Sequence, residues 1–284
     1  MKKICFLALA AIALAFMIVG CDIEGKDIDA IEELVLADEV WFDAGSPEDK
    51  DTSYASTMVE ADSLWWWIRG GPRTHDTADV FVDVVGDSGY VEWSRNNYAS
   101  LIVFPWISDD TIPQSWIKDL SEKTEIHGIF RRTGTASEDD RGWELEKISC
   151  AVGASNNTNT VSIDKIEIEA VDGDPKVTIE DPLNTFYDVK DLVAFNSAES
   201  VTVTLYTNSE NTVVFLHTIV AIWPIRTPFE NMGGGIHQGT WRVQLLEHVP
   251  RFAIFDVMHE STLWDEDYAY DYSGVLFPYT IKNE

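Results

Sequence analysis

The sequence predicts a mixed, mostly β protein: an α+β amino-terminal domain followed by a β-sandwich. Three observations lead there. Only one early stretch has helical periodicity. Most of the remainder falls into short runs rich in Val, Ile, Thr and aromatic residues, separated by Gly, Asn, Asp and Pro. Eleven tryptophans and a 45% apolar composition supply a core and argue against disorder.

Residues 1–20 read MKK and then ICFLALAAIALAFMIVG, two lysines followed by an apolar run without an acid. That is the charged head and apolar middle of a secretory signal, too short for a comfortable membrane span. The run closes on Ile18-Val19-Gly20-Cys21, which resembles the lipobox of bacterial lipoproteins. The resemblance implies a thioether-linked diacylglycerol on Cys21, cleavage after Gly20 and acylation, by palmitate or a similar chain, of the new amino terminus. It places the protein at the bacterial cell envelope with the membrane as partner. Cleavage at another small residue, or an uncleaved signal anchor, is the plainer alternative. Asp22 resembles the inner-membrane retention signal of some Gram-negative lipoproteins, a lean toward the inner membrane. Residues 21–25 are then the lipidated cysteine and a short tether.

Loss of residues 1–20 removes two lysines and no acids, taking the formal charge from −29 to −31. Such a surface repels nucleic acid, which is excluded as a partner. It suits cationic ligands, divalent cations or plain solubility. Cys150 stands apart from Cys5 in the signal and from Cys21. No disulfide framework follows, and Cys150 reads as a small buried hydrophobe.

The α+β domain is expected over residues 26–152. Ile28, Ile31, Leu34, Val35 and the Trp41-Phe42 pair form a helical stripe, with Asp27 or Asp29 able to cap its start. AGSPEDKDTSYAS follows as a loop. The expected strands are SLWWWIRG, DVFVDVV, GYVEWSR, ASLIVFPW, EIHGIFRR and GWELEKIS, with a Gly86-Asp87-Ser88-Gly89 hairpin turn. Residues 107–123 read as a polar, Pro-interrupted connection with room for a short helix. The opening helix, tryptophan-rich segment, hairpin, IFRR strand and GWELEKIS strand together resemble the nuclear transport factor 2-like fold. That resemblance implies a curved sheet wrapped around helices as a cone.

A linker is expected at 153–159. The sandwich is expected over 160–284, from TVSIDKIEIEAV, PKVTIED, SVTVTLYT, NTVVFLHTIVAIW, GTWRVQLLE, RFAIFDVMHE and GVLFPYTI. These seven runs resemble a bacterial immunoglobulin-like domain without its disulfide.

Candidate sites are few. Trp65 and Trp67 share one face of a strand, as a sugar-stacking platform or, more simply, as core. Arg69 beside them could hold a carboxylate ligand or pair with local aspartates. His127 alternates with Ile129 and could line a cone pocket, or be a satisfied structural histidine. Asp265, Asp267 and Asp271 could gather oxygens for Ca2+, although Tyr270 and Leu276 stand where an EF-hand needs Gly and Glu. The simpler reading is a hydrated acidic loop with no cofactor. Gly86-Asp87-Ser88-Gly89 resembles a serine-protease nucleophile turn but lacks the second glycine and an upstream barrel. No catalytic residue is assigned. The leading expectation is a non-catalytic binding or scaffold module, with an envelope protein or a glycan as partner. A ligand pocket or acid/base enzyme site in the amino-terminal domain is the rival.

Overall fold

The computed structural model describes residues 25–42, 66–104, 115–220, 223–243 and 251–282. The signal, Cys21, Trp65 and the whole AGSPEDKDTSYAS loop lie outside the described residues. The chain is mostly β, as its alternating runs require.

Helix α1 covers residues 25–37. Its stripe is the expected one: Ile31 and Val35 are buried. Asp38 ends the helix by accepting the backbone N–H groups of Val40 and Trp41, a turn that drops Trp41 and Phe42 into the same core. Asp27 is not the cap that its position suggested. Residue 25 is already helical, so Asp27 lies inside the helix and pairs with Arg132 and, at 2.7 Å, with Arg141.

Strands β1 (Trp66–His75), β2 (Asp79–Val85), β3 (Ser88–Phe104) and β4 (Trp116–Arg132) follow. The hairpin turn forms at Gly86-Asp87, where Gly86 takes a φ of 64°. GYVEWSR and ASLIVFPW are one strand, β3, of 17 residues. Half of the expected 107–123 connection is also strand, because β4 begins at Trp116. The alternation there is masked: Lys118, Leu120, Glu122 and Thr124 all turn inward, and two of the four are charged.

Next come β5 (Trp143–Ser149), β6 (Ala151–Ser155), β7 (Ile163–Ala170), β8 (Lys176–Ile179), β9 (Phe186–Asp188), β10 (Ala194–Phe195) and β11 (Ser200–Thr207). The carboxyl-terminal part adds β12 (Thr212–Val220), β13 (Trp223–Pro228), β14 (Glu230–Gly233), β15 (Ile236–Arg242), β16 (Arg251–His259), helix α2 (Glu260–Trp264) and β17 (Tyr272–Ile281).

The described strands form two sheets. One has the path β1-β3-β4-β6-β17-β16-β12-β13, with β2, β5, β9 and β10 attached beside it; the other is β14-β15-β11-β7-β8. The larger sheet crosses the boundary expected at 153–159. Residues 153–155 are the end of β6, and β6 pairs with both β4 and β17. The amino-terminal and carboxyl-terminal halves therefore share one hydrogen-bonded sheet.

That sheet curls. Arg226 on β13 donates to the Trp67 carbonyl on β1, joining the two ends of the path across the inside. The concave face holds α1 at one end, against Val91, Trp93, Ile126 and Phe130. The other end is filled by Trp67, Leu101, Leu120, Met258, Tyr270 and Tyr272. The outer faces of β12, β16 and β17 pack on the five-stranded sheet through Val214, Leu216, Phe255, Val275 and Phe277 against Ile166, Ile168, Val203 and Trp241. Strand β17 is thus covered on both faces, which is why YSGVLFPYTI reads as a nearly continuous apolar run.

Candidate functional site

The site is built where the curl brings distant strands together. Trp67 and Arg69 alternate with Ile68 on β1 and point inward. Arg69 Nη1 meets Asp256 Oδ2 of β16 at 2.8 Å, and neither side chain is exposed to solvent. His217 Nε2 of β12 lies 2.7 Å from the same oxygen. Arg69 Nε donates to the Tyr270 hydroxyl at 3.2 Å, and that hydroxyl donates to Glu122 Oε2 of β4 at 3.5 Å. The Tyr272 ring lies 4.6 Å from the Arg69 guanidinium carbon, and Arg226 stacks 3.3 Å from the Trp67 ring centre.

Burial opposes the charged form of Arg69, but Asp256, Tyr270, Tyr272 and Glu122 outweigh it and hold the guanidinium well above its ordinary pKa. Burial, with Asp256 and Glu122 nearby, raises the Tyr272 hydroxyl likewise and keeps it neutral. A carboxylate held between a guanidinium and an imidazole has the parts of an acid/base group. Here those parts are buried and lie against one another, so they brace the curl.

Gly274 sits on β17 between Asp256 and Gly153. A Cβ there would meet the Tyr272 hydroxyl oxygen at 1.9 Å and its ring carbon at 2.6 Å. Because Tyr272 is fully buried, it cannot swing away. Gly274→Ala is expected to lose about 1–3 kcal/mol of stability by overpacking. Urea unfolding checks this. Adding Tyr272→Phe removes the nearest atom and should restore part of the loss.

The structure disposes of the expected site residues one by one. Trp67 is 1% exposed and serves the core, so it offers no sugar platform. Arg69 does pair with an aspartate, but a remote one, and its charge is not open to a ligand. His127 is on the other face of β4 from Glu122, so Arg69 and His127 do not share a pocket. There its Nε2 lies 3.1 Å from Glu125, while its Nδ1 lies 3.0 Å from both the Tyr90 hydroxyl and the Leu183 carbonyl. It is a satisfied structural histidine.

Asp271 is buried and accepts from the Thr160 N–H and hydroxyl and from Tyr268. Asp265 and Asp267 are exposed. The three do not converge, and no group of three or more His, Cys, Asp or Glu suited to a metal occurs among the described residues. Lys118 instead organises this loop. Its Nζ donates to the carbonyls of Asp265 at 2.5 Å and Tyr268 at 2.6 Å, beside the carboxyl end of α2. Burial lowers its pKa to about 8, against the opposing pull of Asp265, Glu266 and Asp267. A cleft of about 310 Å3 opens beside it, lined by Ile117, Asp119, Glu266, Asp267 and Tyr270.

Cys150 is fully buried, and burial pushes its thiol up to about 12. It is an inert core residue.

Sequence reasoning missed Asp256, Glu122, His217 and Arg226. One signal was available: a lone charge in an apolar strand, as in RFAIFDVMHE, announces a buried partner. Among the described residues, no helix is long and apolar enough to cross a membrane. Compared with known proteins, the chain matches no family model, no curated protein and no solved structure.

Proposed function

We propose that this chain is a lipid-anchored, non-catalytic module of the bacterial cell envelope that binds or scaffolds an envelope partner through its β-rich body. The immunoglobulin-like reading of residues 160–284 belongs to this proposal. The observation that carries it is how the described residues occupy the concave interior. A pocket or enzyme reading needs polar groups converging on open space. In that interior Arg69, Asp256, His217 and Glu122 instead converge on one another, between Trp67 and Tyr272. The anchor rests on Ile18-Val19-Gly20-Cys21 and the charged, apolar segment before it. Several acyl chains on one residue hold a protein to a bilayer durably, each buried methylene contributing about 0.8 kcal/mol.

The test expresses the full chain with and without Cys21→Ser, or in cells treated with globomycin. The wild type should enter the detergent phase and the variant the aqueous phase, with an unprocessed precursor migrating more slowly on a gel. Identical partitioning and migration refute the anchor. In-cell crosslinking then identifies the partner. A small molecule co-purifying in stoichiometric amount, with no crosslinked protein or glycan, refutes the scaffold reading.

A further inference from the structure

The tether fixes which end of the molecule meets the membrane. From the geometry we infer that the pole made by the β4–β5 connection (133–142) and the β2–β3 turn (86–87) faces the lipid surface, while the acidic cleft beside Lys118 stands at the far end. The inference rests on the lipid anchor proposed above.

Four residue steps separate Cys21 from Gly25, the first described residue of α1, and can reach at most about 14 Å. Helix α1 is not free to swing. Asp27, 3% exposed, is held by Arg132 at the end of β4 and by Arg141 in the β4–β5 connection, and Trp143 Nε1 donates to it at 3.3 Å. Ile31 and Val35 fasten the next two turns into the core. The Arg132 N–H donates to the Asp87 carbonyl at 3.0 Å, which puts the β2–β3 turn at this same pole. A lipid on Cys21 therefore draws this pole to the bilayer.

Strand β4 sets the distance to the other end. It runs from Arg132, which binds Asp27, back past Lys118, which binds the Asp265–Tyr268 loop. The 14 residue steps from Arg132 back to Lys118 span up to roughly 46 Å at about 3.3 Å per residue. The cleft thus lies beside the opposite end of β4 from the arginine that holds α1.

Charge does not produce this orientation. Glu138, Asp139 and Asp140 are exposed at the near pole and would be repelled by anionic headgroups. The tether alone holds it, so the chain without its acyl groups should not bind vesicles of either neutral or anionic lipid.

The test uses the lipidated full chain in vesicles of phosphatidylethanolamine and phosphatidylglycerol. A fluorophore is placed on Ala136→Cys at the near pole or on Glu266→Cys at the far one. Buried Cys150 stays unlabelled, which a no-added-cysteine control verifies. Energy transfer to acceptor-labelled headgroups should be several-fold stronger from position 136 than from 266. Equal or reversed transfer in protein that still floats with vesicles overturns the orientation and leaves the anchor standing. Loss of flotation by the wild type overturns the anchor and the orientation with it.

Discussion

Asp256→Asn is expected to destabilise the protein by about 3–5 kcal/mol, the usual cost of stranding one member of a buried ion pair. Asp256 has no exposed side-chain surface and faces both Arg69 and His217. Removing its charge leaves the buried Arg69 guanidinium without its directly paired carboxylate, against the rings of Trp67 and Tyr272 and with Glu122 reached only through the Tyr270 hydroxyl. The loss should appear as a lower urea midpoint with an unchanged slope. The pair's net contribution is a separate matter, because each charge was stripped of water to form it. Arg69→Met with Asp256→Leu should therefore recover most of the loss, as buried pairs often do when both members become apolar. An Asp256→Asn protein within about 0.5 kcal/mol of wild type would refute the brace. So would a double variant as unstable as the two singles summed.

Asp27→Asn should cost a similar amount, about 3 kcal/mol, by leaving Arg132 and Arg141 turned toward each other beneath α1. The expected readout is loss of helix signal and exposure of Trp41 and Phe42 ahead of global unfolding. A pH experiment isolates the charge. Burial would raise the Asp27 carboxyl, but hydrogen bonds from Arg141, Arg132 and Trp143 hold it below its ordinary value of 3.8. The unfolded chain thus takes up the proton first. The carboxylate's contribution is complete above about pH 4 and is lost as the pH falls through the lower folded-state value. The stability difference between wild type and Asp27→Asn should be constant from pH 7 down to about pH 5 and should narrow below pH 4. A difference that stays constant down to pH 2 would show that the two arginines do not act through this carboxylate. Because α1 carries the tether, this variant should also blur the membrane orientation while leaving flotation intact.

Local pattern made much of the fold legible. The SVTVTLYT alternation is β11, with Val201, Val203 and Leu205 buried; DVFVDVV and GYVEWSR formed the expected hairpin; and the Ile31-Val35 stripe is the face of α1 that packs. The failures have one origin. Residues 116–123 lost their β signature because Lys118 and Glu122 point inward to partners in the loop between α2 and β17. The small, polar stretch after Cys150 looked like a linker because β6 is made of small residues and its pairing with β4 and β17 leaves no local pattern.

The amino-acid order by itself determined the strands, the helix stripe, the acidic surface and the cysteine motif at the front of the chain, since each is a property of neighbours a few residues apart. Only the tertiary structure decided that the two halves share one curled sheet. It also decided that Arg69 finds its carboxylate 187 residues away. Periodicity reports which face of a strand is buried. It carries no information about which remote charge waits on the other side, because that depends on how far the sheet bends.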